Sequence, residues 1–131
     1  MPINILVAED NDINRIMIRK IFQKTGINFD MAANGEEAIK AFENKYYDLV
    51  FMDIEMPFLD GFEVTRKLRE KYKNQSSQPF IVALTANSLS GEKNRCLEQG
   101  MNEYLAKPFS VEDVHTMIEK ANEAYANPEK N

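Results

Sequence analysis

The sequence predicts an α/β domain built as a doubly wound sandwich, one parallel sheet with helices on both faces. Two observations carry that prediction. Apolar runs alternate with helical patterns five times along the chain, the signature of successive βα units. The runs are also nearly continuous, as in Asp48-Leu49-Val50-Phe51-Met52-Asp53, which is how a strand covered on both faces reads. Right-handed crossovers then give three layers, with an expected strand order of 2-1-3-4-5.

The first strand is expected over Ile3 to Ala8. The helix after it starts near Asn11 or Asp12, either able to cap it, and stops before Gly26. Its positions Asn14, Met17, Ile18, Ile21, Phe22 and Thr25 make one stripe, while Ile13 and Ile16 lie off it. The second strand, near Ile27 to Met31, is less apolar, as suits a sheet edge. Asn34-Gly35 turns the chain into a helix through Glu36 to Phe42, with Ala38, Ala41 and Phe42 at helical spacing.

The third strand ends at Asp53. Pro57 and Asp60-Gly61 shape the loop before a helix from Phe62 to about Tyr72. Residues 74–79, Asn-Gln-Ser-Ser-Gln-Pro, form a polar connector, expected to be the least constrained internal segment. The fourth strand is Phe80 to Leu84, and the next helix runs from about Ser90 to Gln99, stopped by Gly100. A short strand near Glu103 to Ala106 precedes a last helix from about Val111 to Ala124. Residues 1–126 are therefore expected to make one domain and 127–131 a flexible tail.

Composition narrows the function. With 131 residues, 44% hydrophobic and 28% charged, the chain is large enough for its own core. A net charge of −5 argues against a nucleic-acid surface. One His and one Cys exclude a zinc constellation, and Cys96 is expected to pack inside a helix. No secretory signal and no apolar stretch of the roughly 20 residues that span a bilayer is visible, so a cytoplasmic domain is expected.

Chemistry-bearing residues stand where the strands end. Glu9-Asp10 follow the first strand, Asp53 ends the third, Thr85 follows the fourth and Lys107 the fifth. Ligand sites of open α/β sheets lie at this edge, and the expected order brings Glu9, Asp10 and Asp53 together. Each residue alone is an ordinary turn or cap residue; all of them at successive strand ends is hard to assign to chance. Three clustered acids repel one another unless a cation joins them. An all-oxygen donor set suits Mg²⁺, with Mn²⁺ as a substitute. Asp10 and Asp53 are the expected direct ligands, Glu9 a ligand through water, and the Glu55 main-chain carbonyl completes the set. Asp53 is then placed to attack phosphorus and form an acyl phosphate, with Lys107 and Thr85 binding phosphoryl oxygens.

These residues resemble the receiver domains of two-component response regulators. The landmarks are Val7-Ala8-Glu9-Asp10-Asn11, Met52-Asp53-Ile54-Glu55-Met56-Pro57, Asp60-Gly61, Leu84-Thr85-Ala86 and Lys107-Pro108-Phe109. Asn14-Arg15, Thr85-Ala86-Asn87 and the run from Arg95 to Asn102 look most like receivers of hybrid sensor histidine kinases. The resemblance implies the flavodoxin-like (βα)5 fold; members of the family are known to have the order 2-1-3-4-5, so that expectation rests in part on it. It implies that Asp53 takes a phosphoryl group from a phosphohistidine and later loses it by hydrolysis. Thr85 and Tyr104 fall on the family's switch positions, and Glu55 and Asn87 on those that tune water access. Glu9 stands where the family more often has Asp.

The implied partners are a histidine kinase or a histidine phosphotransfer protein, with Ile13, Ile16, Pro108 and Phe109 as docking residues. A monomer is expected, with a phosphorylation-driven dimer through the fourth helix, fifth strand and fifth helix as an option. No DNA-binding segment is present, so the chain reads as a receiver from a hybrid kinase or a small single-domain regulator. Two other functions compete. A phosphatase working through an aspartyl phosphate shares the chemistry, but Asp53-Ile54-Glu55-Met56 lacks the DxDxT-like pattern of such enzymes. A phosphorylation-independent scaffold loses weight because every chemical position is filled. A flavin protein is disfavoured because no glycine- or hydroxyl-rich loop follows the first strand.

Overall fold

The computed structural model describes residues 3–86 and 91–126. Among them, strands β1 (Ile5–Ala8), β2 (Asp30–Ala32), β3 (Leu49–Asp53), β4 (Phe80–Thr85) and β5 (Glu103–Ala106) form a parallel sheet ordered β2-β1-β3-β4-β5. Helices α1 (Asp12–Thr25), α2 (Gly35–Asn44), α3 (Gly61–Lys71), α4 (Glu92–Glu98) and α5 (Val111–Ala126) connect and follow the strands. No described helix is long and apolar enough to cross a membrane.

Side chains alternate across each strand and feed two cores. Leu6, Ala8, Val50, Met52, Ile81 and Ala83 face α2, α3 and α4. Ile5, Val7, Leu49, Phe51, Val82 and Leu84 face α1 and α5. Burial on both sides explains why β1, β3 and β4 read as unbroken apolar runs. Cys96 is buried in α4 as expected.

The register sets the site. Ala8 pairs with Met52, Asp53 with Leu84, and Thr85 with Ala106. The residues ending or following these strands therefore share one edge. Helix α3 starts beneath it through a capping box, in which Asp60 Oδ1 accepts the Glu63 N–H at 2.9 Å and Glu63 Oε1 accepts the Asp60 N–H at 3.3 Å. Gly61 allows that approach, because a Cβ there would lie 2.4 Å from the Asp53 carbonyl oxygen.

Several boundaries differ from the sequence expectation. β1 begins at Ile5 because Asn4 is taken up with Asp48, donating its N–H to Asp48 Oδ2 at 2.8 Å and accepting the Asp48 N–H at 2.9 Å. β2 is displaced from Ile27–Met31 to Asp30–Ala32. Gly26 closes α1 in the left-handed region at φ 70°, and the Thr25 hydroxyl accepts the Ile27 N–H at 3.1 Å. Ile27 and Phe29 then pack half-buried against the α1–α5 core before pairing starts.

Within the α1 stripe, Ile18 and Phe22 are buried, whereas Met17 is 45% exposed. The polar connector is tied at its end. Gln78 and Pro79 present carbonyls to Tyr125 Oη at 2.7 Å and Arg69 Nη1 at 2.8 Å. The Tyr125 hydroxyl also reaches the Asp48 carbonyl at 2.8 Å, which carries α5 to Ala126, past the expected end at Ala124. The expected tail, 127–131, lies outside the described residues, as does Ser90, the expected start of α4.

Candidate functional site

Strand ends deliver the acids. Glu9 and Asp10 occupy the turn between β1 and α1, and Asp53 closes β3. Carboxylate oxygens of all three lie within 4.8 Å of one another. Glu9 is fully buried and Asp53 is 3% exposed. Lys107, after β5, places Nζ 2.9 Å from Glu9 Oε1 and 3.5 Å from Asp53 Oδ2. Its main-chain N–H donates to the Thr85 carbonyl at 2.7 Å, which extends the β4–β5 pairing to the site. Two further N–H groups fix the acids: Asn11 donates to Glu9 Oε2 at 3.2 Å, and Glu55 to Asp53 Oδ1 at 3.1 Å.

The electrostatics follow from crowding in a dry place. Burial pushes the Asp53 carboxyl up to about 7, helped by its hydrogen bond to Glu9 and the charge on Glu9. Burial also opposes ionisation of Glu9, but the bond to Asp53 and the ion pair with Lys107 outweigh it and hold Glu9 below the usual carboxylate range. Burial likewise works against the Lys107 charge, and Glu9 and Asp53 overcome it, raising the ammonium. Without a cation, the Glu9–Asp53 pair therefore retains a proton to higher pH than a free carboxylate does, chiefly through Asp53.

Three carboxylates against one ammonium leave a negative excess of hard oxygen donors, with neither His nor thiolate in the group. That donor set fits a divalent hard cation.

The other sequence candidates fall as follows. Thr85 is 1% exposed at the β4 end of the same edge. The Glu55 side chain is exposed, while its N–H donates to Asp53 Oδ1. Tyr104 is half-buried on β5 against the α2–α4 core. Ile13 and Ile16 stand 69% and 55% exposed on α1, and Pro108 is exposed. Phe109 is buried instead, its ring stacked on Phe51 at 6.3 Å. Asn87 lies outside the described residues.

Two features escaped the sequence reading. Met17, Ile18, Ile21, Lys107, Pro108 and Phe109 line a groove of about 330 Å³ beside the acids. Arg15 reaches back from α1 to the Glu9 and Asp10 carbonyls. Its position in the first turn of α1, just after the acidic pair, was the available signal for the second.

Comparison with known proteins agrees with this geometry. The family described as the response regulator receiver domain matches residues 5–119. The chain is 40% identical over 124 residues to hybrid signal transduction histidine kinase K of Dictyostelium discoideum, covering 91% of this chain. It is 38% identical over 118 residues to the aerobic respiration control sensor protein ArcB of Escherichia coli, covering 90% of this chain. It spans only 10% and 15% of those two proteins.

Among solved structures, the receiver domain of a Pseudomonas aeruginosa sensor histidine kinase, with magnesium coordinated in its active-site cleft, is 35% identical. It superposes with a TM-score of 0.79, covering 92% of this chain and 97% of that one. A Saccharomyces cerevisiae receiver domain co-crystallised with a histidine phosphotransfer protein is 33% identical with a TM-score of 0.78, covering 87% and 84%. The residues gathered at the sheet edge and the match along nearly the whole chain agree: this chain belongs to the response regulator receiver domain family.

Proposed function

We propose that Asp53 is the phosphoacceptor of a signalling domain that takes its phosphoryl group from a phosphohistidine. The carrying observation is the burial of Asp53 at the end of β3 within reach of two further carboxylates and Lys107. A carboxylate oxygen of Asp53 attacks phosphorus, the P–O bond forms as the P–N bond breaks, and the imidazole leaves. Glu9, Asp10 and Asp53 would hold Mg²⁺, with the Glu55 carbonyl beside them; bound there, the ion neutralises charge on the transferred group. Mn²⁺ would suit the same oxygens.

The Lys107 ammonium, already between Glu9 and Asp53, binds one phosphoryl oxygen, and the Thr85 hydroxyl donates to another. The Thr85 movement lets Tyr104 turn inward, which changes the α4–β5–α5 face. Water later hydrolyses the acyl phosphate at a rate tuned by Glu55 and Asn87. External substrates are not turned over.

A histidine phosphotransfer protein or histidine kinase docks on Ile13 and Ile16 and in the groove that Pro108 and Phe109 line. The yeast receiver–phosphotransfer complex and the hybrid-kinase relatives support that choice of partner. We place the domain in the cytoplasm, where the single buried thiol of Cys96 fits a reducing compartment.

The test is intact mass after incubation with acetyl phosphate, with and without Mg²⁺, for wild type and Asp53→Asn. One added phosphoryl group, dependent on Mg²⁺ and lost in Asp53→Asn, is expected. An unmodified wild type that also refuses phosphate from a phosphorylated histidine protein would overturn the reading in favour of a scaffold.

A further inference from the structure

The β1–α1 turn carries two of the three acids, and Asp10 is held least. Glu9 is fixed by its N–H to Ala32 at 3.1 Å and by the Asn11 and Lys107 contacts on its carboxylate. The Asp10 carboxylate makes no hydrogen bond among the described residues, so its aim is set by the main chain alone. What grips that main chain is Arg15. Its Nη1 donates to the Glu9 carbonyl at 3.1 Å and to the Asp10 carbonyl at 2.9 Å. Neither carbonyl lies inside a strand or a helix.

We infer that Arg15 is a positioning residue, whose guanidinium locks the Glu9 and Asp10 carbonyls and so aims the two carboxylates at a divalent cation. The inference rests on the phosphoacceptor reading. Arg15 also pairs with Asp12, but the Asp12 side chain is 84% exposed and that of Arg15 only 22%. A solvated pair one turn along a helix contributes little. The guanidinium is sunk for the carbonyls, and Asp12 balances its charge from outside. This arrangement also keeps the Arg15 cation off the carboxylates, whose local counter-charge is Lys107. Both carbonyls accept from one nitrogen, Nη1, whose N–H directions are fixed by the guanidinium plane, whereas a lysine ammonium turns freely on its stem.

Partners that orient metal ligands typically change affinity by 10–100-fold when lost. Mg²⁺ binding measured by calorimetry should therefore weaken about 10-fold in Arg15→Ala and less in Arg15→Lys. Asp12→Ala should bind Mg²⁺ as wild type does. The apparent Mg²⁺ constant for modification by acetyl phosphate should rise in parallel in Arg15→Ala, while the rate at saturating Mg²⁺ returns to near wild type. Such a split is not produced by a general loss of structure, and Arg15→Lys guards against misfolding of the alanine variant.

Wild-type Mg²⁺ affinity in Arg15→Ala would overturn the inference alone, as would an equal loss in Asp12→Ala, which would make the surface ion pair responsible. Absence of Mg²⁺ binding in wild type would overturn the phosphoacceptor reading, and the role of Arg15 with it.

Discussion

Lys107 Nζ lies closer to Glu9 than to Asp53, at 2.9 Å against 3.5 Å. The ammonium is therefore anchored on the acid that does not react and leans toward the one proposed to react. Glu9 is fully buried, so this contact holds a charge that water cannot reach. Removing one partner of a buried pair leaves the other unpaired, which is more costly than losing the attraction itself.

Lys107→Met should accordingly destabilise the metal-free protein by about 3 kcal/mol at pH 7. Urea unfolding in the presence of EDTA measures it. Added Mg²⁺ should recover part of the loss by taking over the charge on Glu9, and modification by acetyl phosphate should stay slow.

Asp53→Asn should do the opposite to stability. The folded Asp53 carboxyl is raised from 3.8 to about 7, so the folded state binds its proton more tightly than the unfolded chain does. Its contribution is fully present below the unfolded value of 3.8 and is lost as pH rises through 7. In EDTA the variant and wild type should match near pH 3.5, and the variant should be the more stable by about 2 kcal/mol at pH 8. The gain falls short of the full shift because Glu9 moves the other way. Mg²⁺ should close the gap by stabilising wild type alone. Equal midpoints at pH 8 without metal would contradict the retained-proton picture.

Ile16→Asp should slow phosphoryl transfer from a phosphorylated histidine protein by about 10-fold, a loss of about 1.4 kcal/mol. Acetyl phosphate should modify this variant at the wild-type rate, because Ile16 stands 55% exposed on α1, outside the group of acids. Equal transfer rates from the protein donor would remove α1 from the docking surface.

Tyr125→Phe should cost about 1–2 kcal/mol, since one hydroxyl reaches the Asp48 and Gln78 carbonyls and also the Tyr46 hydroxyl at 3.0 Å. These contacts lie at the start of β3 and β4, away from the phosphoacceptor edge. Modification by acetyl phosphate should be unaffected.

The chemistry was legible because of burial. β1, β3 and β4 are covered on both faces, so their apolar runs stop where the edge begins, and Glu9, Asp53 and Thr85 mark those stops. What escaped was set by contacts that local pattern does not encode. Met17 shares the helical spacing of Ile18 and Phe22, yet it lines the open groove with Pro108. Ile27 and Phe29 have strand-like composition, but the Thr25 hydroxyl and the left-handed Gly26 delay β2 until Asp30. Arg15 enters the sequence reading only through the Asn14-Arg15 pair, and only the folded turn shows which carbonyls it meets.

The sheet also partitions mutational risk. Phe42 sits in the core beneath α2, Met117 in the core beneath α5, and the strands keep the two side chains in separate compartments. Substitutions without shared neighbours add in free energy to within about 0.5 kcal/mol. Phe42→Leu and Met117→Leu combined should thus cost the sum of their separate effects. Protein engineers could diversify the two compartments in independent libraries and recombine the winners without searching every pairing.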